Sequence, residues 1–133
     1  MQLLREAIGA HTCDRRGTKT YIHNRDPSYE FENGFTEDDE LWRADARETD
    51  AALDARMKEL LDDVFSHDDS TFISFTSHSG AIGGILRVIG HRKFNLATGS
   101  VIPALVKAEK VSGSETPGNL TWVPAPSCGP AGP

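Results

Sequence analysis

Leu53, Met57, Leu60, Leu61, Val64 and Phe65 recur at i, i+4, i+7, i+8, i+11 and i+12, so residues 48–66 read as an amphipathic helix with one buried face. Ser66-His67-Asp68-Asp69-Ser70 breaks that pattern. Thr71-Phe72-Ile73-Ser74-Phe75-Thr76-Ser77 follows, β-branched and aromatic without strict alternation, which predicts a strand covered on both faces. Ser77-His78-Ser79-Gly80 then forms a small polar hinge, and helical periodicity resumes from Ala81 to Ile89, with Gly90 as its stop. Ser100 to Ala108 reads as a further strand, placed at an edge or bulge by Pro103. The order helix, strand, helix, strand argues for an α/β sandwich.

The flanks are less regular. Leu3-Leu4-Arg5-Glu6-Ala7-Ile8 is apolar and periodic with no capping residue before it, as in the middle of a domain. Residues 9–34 carry turn formers and predict a long excursion loop, a candidate substrate lid, with a short strand at Thr20-Tyr21-Ile22. Thr36 followed by four acids resembles a helix start, and a short helix through Leu41 and Trp42 is expected. Beyond Val111 the chain is rich in Gly, Pro, Ser and Thr. The expected division is therefore a domain over 1–111 and a flexible tail over 112–133, anchored only by Trp122.

The 133 residues fit one domain, and 38% hydrophobic with 26% charged residues is ordinary globular composition. A formal net charge of −6 disfavours sequence-independent nucleic-acid binding. No apolar run approaches the roughly 20 residues that cross a bilayer, and the first residues lack a basic stretch leading into an apolar one. Neither membrane attachment nor export is expected. Cys13 and Cys128 form neither a disulfide framework nor a paired metal knuckle, so a reducing, cytoplasmic setting is the expectation.

His78 is the first candidate for chemistry, because ligands of open α/β sheets bind where a strand hands over to a helix with free amides. Beside Ser77 and Ser79 its imidazole could donate to a phosphoryl oxygen or carry a proton; the bland alternative is a turn histidine. Ser79 lacks the flanking glycines of a hydrolase elbow, having Ser77 and Ala81 instead. His11, Cys13, Asp14 and His23 fit no strong ligand spacing, so neither metal nor cofactor is expected. Glu6 is either a half-buried acid or an ordinary surface carboxylate. Arg15 and Arg16 could clamp a phosphate or carboxylate, or simply be solvated.

Leu4-Arg5-Glu6, His11-Thr12-Cys13-Asp14-Arg15-Arg16, Gly34-Phe35-Thr36, Asp39-Glu40-Leu41-Trp42 and Thr76-Ser77-His78-Ser79-Gly80, in that order, resemble the fungal phosphoglycerate mutase-like branch of the histidine phosphatase superfamily. The likeness spans about residues 3 to 110. It implies a three-layer α/β/α sandwich with a mostly parallel sheet, here cut short at its amino end, and phosphoryl transfer through a phosphohistidine. It also implies that Glu6 is the acid/base carboxylate and His78 the second, phosphate-binding histidine. Arg15, Arg16, Ser77 and Ser79 then face the phosphorylated small-molecule substrate. The nucleophile of the family lies in an Arg-His-Gly motif, and here none of His11, His23, His67, His78 and His91 is followed by Gly.

Two readings stand at this point. One is a histidine phosphatase or phosphomutase that is incomplete as this chain. The other is a non-catalytic descendant that binds a phosphorylated ligand or a partner, with a homo-oligomer able to shield an open sheet edge. A proton transfer or dehydration reusing Glu6, His78 and the arginine doublet is a third, weaker one.

Overall fold

The computed structural model describes residues 1–110 and the strand Leu120–Pro124. Among the described residues the fold is a small α/β type in which three α-helices precede one antiparallel pair of strands. Helix α1 spans Lys19–Arg25, α2 Asp50–His67 and α3 Ser79–Val88; strands β1 (Val106–Lys110) and β2 (Leu120–Pro124) follow.

Helix α2 matches its sequence pattern closely. Thr49 caps it, its side chain accepting from the Ala52 amide, and Asp50 lies in the first turn, where a carboxylate suits the positive end of the helix dipole. Leu53, Met57, Leu60, Leu61 and Val64 form its buried stripe, facing Ala81, Ile85, Leu86 and Ile89 from α3 and just beyond it. The two helices touch closely at Gly84, where a Cβ would lie 2.8 Å from Met57 Cγ. Gly90, at φ +69°, ends the run as expected, and the His91 amide folds back onto the Leu86 carbonyl at 2.8 Å. Leu3, Leu4, Ala7, Ile73, Phe75 and Ile102 lean on this two-helix core from outside.

Other expectations fail, each for a local reason. Thr20-Tyr21-Ile22 lies in α1 rather than in a strand, because Thr18 caps a helix by accepting from the Tyr21 amide. Thr36 starts no helix: its hydroxyl donates to the Asp38 carbonyl, and the Asp39 carboxylate takes the Leu41 and Trp42 amides, making a turn. Residues 9–34 are not a structureless excursion, since they hold a 3-10 turn at Thr12–Asp14 as well as α1.

Residues 72–78 form no regular element and pair with no strand among the described residues. Their burial alternates, with Ile73, Phe75 and Ser77 turned inward and Phe72 93% exposed, so one face is covered rather than two. The strand expected at 100–108 begins only at Val106, clear of Pro103, which has no amide to offer a ladder. Among the described residues the only sheet is the antiparallel pair β1–β2, with Val106 opposite Pro124 and Lys110 opposite Leu120; no parallel pair occurs there. Of the expected tail over 112–133, Leu120–Pro124 is this second strand and the remainder lies outside the described residues.

Candidate functional site

The site is built where the 1–8 segment meets the N-terminus of α3. Ser77 Oγ donates to the Leu4 carbonyl at 2.6 Å, holding the 72–78 segment beside the first residues of the chain. His78 is the N-cap of α3: its carbonyl receives the Ile82 amide at 3.0 Å, while its side chain makes no capping bond and stays exposed. Ser79, exposed, opens the helix, and Gly80 follows.

Glu6 comes to the same point from the other segment. Its Oε1 accepts the Ala7 amide at 2.7 Å and its Oε2 the Gly80 amide at 3.2 Å. Glycine at 80 is what permits this approach, since a Cβ there would stand 2.2 Å from Glu6 Oε1. The structure thus gathers Glu6, Ser77, His78 and Ser79 around one helix N-terminus, where backbone donors and the helix dipole favour a negatively charged oxygen. Chemically the cluster offers a carboxyl able to carry a proton, an imidazole open to solvent, and hydroxyl and amide donors.

Arg15 and Arg16 stand apart from that cluster in a second one. The Arg16 guanidinium donates to the carbonyls of Gly17, Thr36 and Asp38 and stacks over Phe35, 4.2 Å from the ring centroid. It fastens the 9–18 loop to the 34–42 turn. Arg15 is more open, 4.0 Å from the Asp38 carboxylate and 5.8 Å from the Trp42 ring centre.

Arg5 and Asp39 link the two clusters. Arg5 donates to Asp39 Oδ1 at 2.7 Å and to the Asp14 carbonyl, while Asp39 also accepts the Arg16 amide at 2.7 Å. The Asp39 side chain is 0% exposed. Burial is the largest single influence on it and works upward, but the hydrogen bond from Arg5, the Arg16 amide, the Arg5 charge and the Leu41 amide together bring its pKa down to about 2.

A second buried ion pair supports Glu6 from behind. Glu48 and Arg56, each 8% exposed, meet through Arg56 Nε to Oε1 and Nη2 to Oε2, both at 2.7 Å, as two charge-assisted bonds. Burial pushes the Glu48 carboxyl upward, yet the Arg56 bond, the Ile8 amide and the two arginine charges outweigh it and hold its pKa below the ordinary value. No motif flagged this pair. Its signal lay in the spacing, an acid just before a helix and an arginine on its inward side.

The structure is thus a small α/β fold with an acid, a histidine and hydroxyl groups gathered at one helix N-terminus. The chain is 57% identical over 108 residues to the "Probable phosphoglycerate mutase" of Arthroderma benhamiae, covering 81% of this chain and 32% of that one. It is 43% identical over 122 residues to "Phosphomutase-like protein 3" of Candida albicans, covering 91% and 38%. With the "Probable phosphoglycerate mutase PMU1" of Saccharomyces cerevisiae it shares 38% over 117 residues, covering 78% and 40%. The chain belongs to the phosphoglycerate mutase-like proteins of fungi. It spans 32 to 40% of the length of these relatives. No family model and no solved structure matches it.

Proposed function

We propose that this chain supplies the acid/base and phosphate-binding half of a phosphate-ester hydrolase of the histidine phosphatase type. The observation that carries the reading is the convergence of the Glu6 carboxylate with Ser77, His78 and Ser79 at the α3 N-terminus. In it, His78, the Ser79 hydroxyl and the helix amides not taken by Glu6 hold the phosphoryl oxygens, where charge concentrates in the transition state, while Ser77, its hydrogen given to the Leu4 carbonyl, keeps its segment beside them. Protonated Glu6 delivers its proton to the departing ester oxygen. Arg15, on the open side of its loop, faces the substrate; Arg16 serves the same face by holding the loop in place. A phosphohistidine nucleophile comes from outside these 133 residues, which contain no His-Gly pair. In the complete protein the 1–8 and 72–78 segments take their places in the mostly parallel sheet of a three-layer sandwich. The substrate is a phosphorylated small molecule, handled in the cytoplasm without nucleic acid, membrane or cofactor.

Leaving-group dependence tests the acid role. With the complete protein, Glu6→Gln lowers turnover of alkyl phosphates about 100-fold or more, and that of a nitrophenyl phosphate far less, because a good leaving group needs no proton. His78→Ala lowers both. An equal loss on both substrates for Glu6→Gln rejects Glu6 as the acid, and interconversion of phosphoglycerate isomers without phosphate release replaces hydrolase by mutase.

The absence of an Arg-His-Gly segment among these residues favours a second reading, a ligand-binding descendant of the fold that acts alone or as a homo-oligomer. It predicts that the 133-residue chain binds a phosphate ester without releasing phosphate, and that His78→Ala weakens the binding. Phosphate release that appears once an upstream Arg-His-Gly segment is joined to the chain decides for the enzyme.

A further inference from the structure

The geometry points to the buried Glu48–Arg56 pair as the positioning element of Glu6: it fixes the backbone on both sides of that residue and so determines where its carboxylate stands. This rests on the reading of Glu6 as a site residue, and it adds two residues that no sequence motif marked.

The 1–8 segment has little regular structure of its own, so its backbone groups need partners from elsewhere. Arg56 provides them for the carbonyls. Its Nη1 donates to the carbonyls of Leu3 and, at 3.0 Å, Arg5, and its Nη2 donates to that of Glu6 at 3.2 Å. Glu48 completes the hold on the far side, where Oε2 accepts the Ile8 amide at 2.9 Å and its own amide donates to the Ile8 carbonyl at 2.8 Å. Glu6 therefore lies between two clamped stretches, and from that fixed backbone its carboxylate meets the Ala7 and Gly80 amides.

The chemistry of the pair suits this task. A guanidinium presents five donors in a rigid planar fork, so one side chain can serve three carbonyls and a carboxylate together; an ammonium cannot. The bidentate contact with Glu48 holds the fork in plane and offsets the cost of burying the charge. Arg56 sits one residue before Met57, which is 0% exposed in the core, so the clamp is mounted beside the buried face of α2.

The Gly80 amide is the reporter, because it donates to Glu6 and belongs to α3, not to the clamped segment. In the 133-residue chain its amide resonance is followed from about pH 3 to about pH 5.5, the range over which ordinary carboxylates titrate and below the ordinary histidine range. The resonance moves with protonation of Glu6 and stays flat in Glu6→Gln. Arg56→Lys keeps the charge but loses the fork, and reduces that movement to less than about half, while the amide resonances of Leu60 and Ile85 hold their positions. An undiminished movement in Arg56→Lys with those core resonances in place overturns the proposal, as does a wild-type Gly80 resonance that ignores Glu6. Where Arg56→Lys does not fold, Glu48→Gln decides by the same readout, since it keeps an acceptor for the Ile8 amide but not the charge that holds the fork. Phosphate chemistry does not enter the measurement, so failure of the hydrolase reading and failure of this one are separate results.

Discussion

Gly80 is where a single atom decides the site. The Cβ of an alanine there would meet Glu6 Oε1 at 2.2 Å, far inside contact distance. In the first turn of α3 alanine is otherwise a welcome helix former, better than glycine by up to about 1 kcal/mol. Gly80→Ala should therefore leave the helix content unchanged while displacing the carboxylate. In the complete protein, turnover of an alkyl phosphate is expected to fall about 100-fold, the usual cost of misplacing a reacting group by an ångström. Circular dichroism beside steady-state kinetics checks both halves, and unchanged turnover would remove Glu6 from the reacting geometry. What the sequence showed of this cluster is local, a helix starting beside His78 and its flanking serines; that Glu6 meets the Gly80 amide is a contact between residues 74 apart, which no local pattern contains. What the sequence could not show is that Arg16 spends its guanidinium on the carbonyls of Gly17, Thr36 and Asp38, a partnership of residues up to 22 apart.

At the scale of elements, the Arg5–Asp39 contact fastens the chain start to the 34–42 turn, and its strength depends on Asp39 being ionised. The folded pKa of about 2 lies below the ordinary 3.8. A depressed carboxylate contributes stability that is complete above the unfolded value and disappears as pH falls through the folded one. The contribution is about 2 kcal/mol, lost from about pH 4 downward. Glu48, also depressed, adds to the same acid sensitivity. Urea unfolding at stepped pH should show this slope in the wild-type chain and a clearly shallower one in Asp39→Asn, which is also the less stable at neutral pH. An identical slope in both would mean that other carboxylates govern acid unfolding. Elements divide by how local their cause is. Helices α2 and α3 were legible because a 3.6-residue period is contained in the segment itself. The strand character of 71–77 was not realised, because a strand needs a neighbour and the described residues provide none. Thr36 misled for the opposite reason: its hydroxyl donates to the nearby Asp38 carbonyl, and the amides of Leu41 and Trp42 are taken by Asp39 in a turn.

At the scale of the whole molecule, the buried apolar core among the described residues is one contact surface between α2 and α3. The buried side chains of the core come from α2 and from α3 with its C-cap Ile89, while the chain start and the 72–78 segment only lean on them. Leu60, 0% exposed, lies at the centre of that surface. Leu60→Ala removes buried methyl groups and leaves a cavity that two rigidly packed helices cannot close, a change worth about 2–5 kcal/mol. Small domains hold only about 5–15 kcal/mol in total, so that variant should have a much lower urea midpoint or fail to fold. Phe72 makes the contrasting case. It is larger than leucine but 93% exposed, so Phe72→Ser should shift the midpoint by no more than about 0.5 kcal/mol. The comparison separates size from burial within one chain, and it also tests where the fold ends. If Phe72→Ser proves as costly as Leu60→Ala, the 72–78 segment has a covering surface on its outer face in solution, and the two-helix core is only part of what holds the molecule together.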